Sequence, residues 1–75
     1  MKINIQDIVK ILGEIGVLAD LNSLEFSKPL KDQGIDSLDM ANLFLNIQEK
    51  YGINVGLEEA KELDTIEKIV NYLNK

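Results

Sequence analysis

Apolar residues recur at intervals of three and four in three separate stretches of this 75-residue chain, and that period constrains it to helices. In the first stretch Ile5, Ile8, Val9, Ile11, Leu12, Ile15 and Leu18 share one side of a helical wheel. Asn4 is suited to cap it, with Asp7 at the third helical position. The spacing predicts a helix from Ile5 to Leu18, with Gly13 and Gly16 lowering its propensity from within. In the last stretch Ile66, Ile69, Val70 and Leu73 repeat the pattern behind a cap at Asp64 or Thr65.

The middle stretch is predicted as a helix from Ser37 to about Tyr51, ended by Gly52. Leu38, Ala41, Leu45 and Gln48 lie along one stripe of it, and Phe44, Ile47 and Tyr51 along another. Met40 and Leu43 widen the apolar surface beyond what one core face needs. Either the helix is buried on two sides, or Leu38 and Met40 stay partly exposed for docking; a flexible thioether suits adaptable contacts. Between the first two helices, Asp20 to Ile35 reads as a long connection rich in turn residues. Leu21, Leu24, Phe26, Leu30 and Ile35 give it apolar anchors, so it is expected to pack across the helix ends. Leu24 and Phe26 could be taken for a short strand, but no partner strand is evident and they are read as core plugs. After Gly52 comes the short alternating run Ile53-Asn54-Val55, closed by Gly56, and then a turn or two of acidic helix from Leu57 to Glu62.

Seventy-five residues suffice for one small domain that buries about 60–65% of its unfolded surface. There is no Cys, His, Arg or Trp. Disulfides and an ordinary structural zinc site are thereby excluded. So are the commonest general base, the thiol nucleophile and the bidentate phosphate clamp, and the chain is read as not an enzyme. The formal charge is −5. It is uneven, with four lysines against five acids in residues 1–35 and four against eight in 36–75. Nucleic acid would be repelled, and an acidic surface suits basic protein partners or plain solubility. Met1-Lys2-Ile3-Asn4 lacks the apolar core of a signal peptide and no stretch is long enough to span a bilayer, so no membrane insertion and a cytoplasmic location are expected. Asp32, Asp36 and Asp39 do not have calcium-loop spacing, and no glycine-rich stretch ends in Gly-Lys-Ser/Thr.

Chemistry is left at one place, Gly34-Ile35-Asp36-Ser37-Leu38-Asp39-Met40. Asp36 is a good cap for the middle helix, and Asp39 stands where a side chain can reach back toward the cap N–H. Aspartate is shorter than the usual Glu or Gln, so that box is imperfect. Ser37 falls at the first helical position, where packing requires no hydroxyl. Unpaired N–H groups and the helix dipole there favour an attached anion such as phosphate. The plain reading is that Asp-Ser-Leu is a helix cap and nothing more.

Leu30-x-Asp32-x-Gly34-Ile35-Asp36-Ser37-Leu38, with one helix before it and three after, resembles the acyl carrier proteins and their peptidyl and D-alanyl carrier relatives. The likeness covers nearly the whole chain and extends to Tyr51-Gly52-Ile53 and Asp64-Thr65-Ile66. It implies an all-α fold, a small antiparallel four-helix bundle of three main helices and a short third one, as a single carrier domain over 1–75. It implies a covalent 4′-phosphopantetheine arm, taken from coenzyme A and attached at Ser37. Asp36 and Leu38 become elements of transferase recognition, with Asp39, Met40 and Asn42 added to the partner-facing surface. The implied partners are a phosphopantetheinyl transferase (a holo-acyl-carrier-protein synthase) and the enzymes that load and transfer acyl groups, with the carrier a monomer. Acyl intermediates would ride as thioesters, and the thiol would have to come from the arm because the chain has none.

The sequence departs from the fatty-acid-synthesis type, whose second helix is strongly acidic outside. Residues 36–50 offer only Asp36, Asp39 and Glu49 against Lys50, with Asn42, Asn46 and Gln48 where acids are expected. A neutral amide loses long-range attraction to a basic partner. A specialised lipid or secondary-metabolite pathway is therefore expected; the alternatives are a peptidyl or D-alanyl carrier, or an unmodified helical adaptor on the same fold.

Overall fold

The computed structural model describes residues 2–75; Met1, with which the signal-peptide reading began, lies outside the described residues. Among the described residues four helices form: α1 (Ile5–Glu14), α2 (Ser37–Tyr51), α3 (Leu57–Glu62) and α4 (Ile66–Leu73). Single 3₁₀ turns at Leu21–Ser23 and Leu30–Gln33 punctuate the long connection, and there is no strand among the described residues. This is the expected all-α four-helix arrangement with a short third helix.

The start of α1 is closed by a complete capping box. Asn4 Oδ1 accepts from the Asp7 N–H at 3.0 Å, and the Asp7 carboxylate accepts from the Asn4 N–H at 2.9 Å. Ile3 before the cap and Ile8 inside the helix are both buried, in the positions of a hydrophobic staple. The chain's far end fastens the same corner: the Ile3 N–H donates to Asn74 Oδ1 at 2.8 Å, and Asn74 Nδ2 donates to the Ile3 carbonyl at 2.6 Å.

α1 stops at Glu14, four residues short of the predicted Leu18. Gly16 takes φ +79°, the left-handed conformation that glycine adopts without strain. Its N–H donates to the Gly13 carbonyl and that of Val17 to Leu12, the paired bonds of a glycine-terminated helix end. Leu18 lies beyond this turn and is fully exposed, so its fit to the apolar period was fortuitous.

Ile8, Ile11 and Leu12 of α1 meet Leu43 and Ile47 of α2 and Ile66 and Ile69 of α4 in one buried cluster. Val70, predicted on the buried face of α4, is half-buried at its edge. Leu30 and Ile35 of the long connection are wholly buried in the same cluster, and Leu24 nearly so. That connection is therefore part of the core; of the two expected plugs, Leu24 is buried and Phe26 is half-buried at the edge. It is bonded to the start of α4, where the Leu30 N–H donates to the Asp64 carbonyl at 2.8 Å and the Glu67 N–H to the Phe26 carbonyl at 3.1 Å. The radius of gyration, 11.1 Å, is that of a closely packed chain of this length.

Of the two cap candidates for α4, Thr65 serves. Its buried hydroxyl accepts from the Lys68 N–H at 3.1 Å. Asp64 instead takes the Lys68 ammonium at 3.1 Å, and that bond holds its carboxyl below the usual carboxylate range. A second pair, Lys50 with Glu14, ties α2 to α1; it lowers the glutamate pKa and raises that of the lysine. No helix among the described residues is long and apolar enough to cross a membrane.

Candidate functional site

α2 begins where the Leu30–Gln33 turn runs out through Gly34, whose φ of +88° reverses the chain, and through the buried Ile35. Asp36 is extended and caps the helix, its carboxylate accepting from the Asp39 N–H at 2.9 Å. The reciprocal bond from Asp39 does not form, so this box is half closed, as the shorter side chain suggested. Ser37 follows at the first helical position and is exposed. Among the described residues, neither its hydroxyl nor the N–H groups of Ser37 and Leu38 have a hydrogen-bond partner. Helix-end donors without acceptors favour an anion placed on this hydroxyl.

Beside Ser37 an open groove of about 550 Å³ runs between α2 and α3. Met40, Ala41 and Phe44 form one wall; Val55, Leu57, Ala60 and Leu63 form the other. Ile35 is at its floor, and Lys31, Lys61, Asp36 and Asp64 stand at its rim. A second depression of about 610 Å³ lies on the α3/α4 side among Glu59, Glu62, Lys68 and Tyr72, and does not reach Ser37. Its charged walls suit water. The apolar groove suits an aliphatic group tethered nearby.

The sequence placed two apolar stripes on α2, and the structure separates them. Leu43 and Ile47 face the core, with Phe44 and Tyr51 half-buried beside them. Leu38, Ala41, Leu45 and Gln48 face outward, with Leu38 70% and Leu45 53% exposed. The helix is not buried on two sides. Met40 packs against the core and lines the groove, half-buried; Asp39 and Asn42 are also half-buried but do not line it. Asp36, Ser37, Leu38, Asp39, Met40 and Asn42 are thus brought together on the first two turns of one helix.

The family described as the phosphopantetheine attachment site matches residues 6–73. An acyl carrier protein of Campylobacter jejuni (strain RM1221) is 34% identical over 64 residues, covering 85% of this chain and 82% of that protein. One from Buchnera aphidicola subsp. Schizaphis graminum is 34% identical over 70 residues, 93% of this chain and 85% of its own. The chain belongs to the acyl carrier protein family. It is accordingly a carrier and not an enzyme, and its prosthetic group is covalent 4′-phosphopantetheine. The site fits that group: a free serine hydroxyl, unpaired N–H donors for a phosphate, and an apolar groove within reach of the same residue.

Two features of this carrier's site escaped the sequence reading. The far wall of the groove, with Leu57 84% exposed, comes from α3 and the residues Val55 and Leu63 that flank it, where the sequence showed a turn or two of acidic helix. Only Leu57 and Ala60, three apart among the glutamates, signalled it. The other is Gln33, whose side-chain amide bonds to three backbone carbonyls and one N–H of the long connection. The only hint was a long amide in an otherwise turn-forming segment.

Proposed function

We propose that residues 1–75 act as one carrier domain in which Ser37 bears the 4′-phosphopantetheine arm. The observation that carries this reading is the placement of Ser37: exposed, behind the Asp36 cap, with free helix-end N–H donors, at the mouth of the apolar groove. The bound arm supplies the thiol that this chain lacks, on which acyl intermediates are held as thioesters. In the modification the Ser37 oxygen bonds to the phosphorus next to the pantetheine, the pyrophosphate bond of coenzyme A breaks to release adenosine 3′,5′-bisphosphate, and the hydroxyl proton leaves to solvent or to the transferase. The protein's part is to keep Ser37 exposed and to favour the resulting phosphodiester with the dipole of α2.

The partners are then a phosphopantetheinyl transferase and the enzymes that load and unload the arm, meeting a monomeric carrier in the cytoplasm. To reach the arm they must pass over Asp36, Leu38, Asp39, Met40 and Asn42. The amides Asn42, Asn46 and Gln48 leave the outer face of α2 poor in charge, which supports service to one specialised pathway over a general basic docking site. The names of the relatives favour acyl over aminoacyl cargo.

The test is intact mass after incubation with coenzyme A, magnesium and a broad-range transferase, followed by peptide fragmentation to locate the added group. One arm on Ser37 is expected. A wild-type chain left unmodified would instead indicate an adaptor.

A further inference from the structure

Resting on the reading of Ser37 above, we infer that Gln33 is a positioning residue that sets the loop presenting Ser37 to its modifying enzyme. Its amide ties the end of the 3₁₀ turn back to Glu25 and Lys28, eight and five residues earlier in the same connection. Oε1 accepts from the Glu25 N–H at 2.6 Å, while Nε2 donates to the carbonyls of Glu25 at 2.9 Å and Lys28 at 3.1 Å. A longer contact of 3.4 Å reaches the Pro29 carbonyl. Pairing with both the N–H and the C=O of Glu25 makes the side chain behave as an added rung of backbone. No regular element does this for the connection.

The bonds matter because of what they join. On one side, residues 26–30 are bonded to the start of α4 through the Phe26 carbonyl and the Leu30 N–H. On the other, Gln33 closes the 3₁₀ turn that continues directly through Gly34 and Ile35 into Asp36 and Ser37. Lys31 and Ile35, two residues to either side of Gln33, line the groove together with Ser37. A protein that docks on Ser37 therefore meets a surface whose shape depends on this amide. Without it, residues 25–33 keep the bond from the Lys28 N–H to the Glu25 carbonyl, the 3₁₀ turn and the buried Leu30, but lose the tie between Glu25 and the end of that turn, and the docking shape becomes one conformer among several. Binding that selects that conformer is weakened by its population, whereas turnover of the docked complex is not.

Gln33→Ala and the near-isosteric Gln33→Glu test this. The glutamate keeps an acceptor for the Glu25 N–H but loses the donors and turns a carboxylate toward three carbonyls. The modification assay with coenzyme A should show a KM for the carrier raised roughly 3- to 10-fold in Gln33→Ala, with kcat within about twofold. Gln33→Glu should move KM in the same direction. Amide hydrogen exchange, read without any transferase, should speed up at Glu25 in Gln33→Ala and at Ile35 in both variants. Asn4→Ala is the control for general loss of stability, since it uncaps α1 and should leave KM unchanged. An unchanged KM in both Gln33 variants, a fall confined to kcat, or an equal KM rise in Asn4→Ala would overturn the inference. If wild-type Ser37 takes no arm, the reading of the site fails, and the exchange data still decide whether Gln33 holds the loop.

Discussion

The starts of α1 and α2 are built to one plan and finished differently. Each has a buried isoleucine before the cap (Ile3, Ile35), an Asx cap (Asn4, Asp36) and an aspartate at the third helical position (Asp7, Asp39). At α1 the box is closed, the first helical residue is the half-buried Ile5, and Asn74 fastens the corner from the chain's other end. At α2 the box is half closed, the first helical residue is an exposed serine, and an apolar groove opens alongside. Local capping is worth about 1 kcal/mol in either place. What distinguishes them is access. The closed start holds the fold, and the open start offers a hydroxyl beside unpaired donors. A cap motif alone therefore does not identify a modification site, but a cap left open beside a groove suggests one.

The largest expected effect tests whether access matters. Ser37→Ala should abolish modification. Adding Ile5→Ser to that variant places a hydroxyl behind the Asn4 cap and should not restore it. A mass gain in the double variant, mapped to residue 5, would mean that a capped serine suffices and that the contrast between the two starts is irrelevant to modification.

Next in size is docking over the open start. Leu38 is exposed and Met40 lines the groove, while Asp36, Asp39 and Glu49 are the only acids of residues 36–50. Burying a Met side chain fully stabilises by about 1.5–3 kcal/mol, against about 0–1 kcal/mol for an exposed ion pair. As Met40 is already half-buried, Met40→Ala should cost a cognate acyl-transferring enzyme about 1–2 kcal/mol, roughly 5- to 30-fold in transfer efficiency. Asp39→Asn should cost less, and salt dependence should be mild. Transfer abolished by moderate salt but unaffected by Met40→Ala would show that charge governs this face.

Stability separates the two starts more finely. Asp7→Ala loses both its dipole interaction and its bond to the Asn4 N–H, at about 1 kcal/mol, whereas Asp39→Ala loses only the former, at about 0.3–0.5 kcal/mol. Asp36→Ala uncaps α2 at about 1 kcal/mol, and Ser37→Ala should stay within about 0.5 kcal/mol. Thermal melts rank the four directly. If Asp39→Ala proved as costly as Asp7→Ala, the second box would be closed in solution.

How much of this was legible in the sequence follows from what carried each signal. The start and end of α2 were, because Asp36 and Gly52 have strong local preferences that packing does not override. The open site was legible for the same reason. The end of α1 was not, because the apolar period continued to Leu18 while Gly16 had already reversed the chain. Periodicity gives a face, and only backbone conformation says where the face stops. The outward turn of Leu45 was also hidden: two plausible stripes on one helix can be ranked only by what packs on them. The groove joins α2 to residues from a later part of the chain, and the Gln33 bonds, eight residues apart at most, follow an irregular loop path; no periodic pattern encodes either.

The smallest effect concerns pH and brings in a third helix start. At α4 the cap is Thr65, and the aspartate just before it, Asp64, is paired with Lys68. Its bond to Lys68 lowers the carboxyl pKa in the folded state relative to the unfolded chain. The pair's contribution is therefore fully present above the unfolded carboxylate value, about 3.9, and is lost as pH falls through the lower folded value. The Asp64 side chain is 41% exposed, so screening limits the contribution to a few tenths, about 0.3 kcal/mol. Asp64→Asn should lower stability slightly at pH 7 and make the acid limb of the stability profile shallower. Lys68→Ala should do the same, since it removes the partner responsible for the shift. Denaturant melts between about pH 2 and 7 in low salt resolve this. If neither substitution changes the slope of that limb, the pair is fully screened, and α4 is held at its start by the Thr65 cap and not by the Asp64–Lys68 pair.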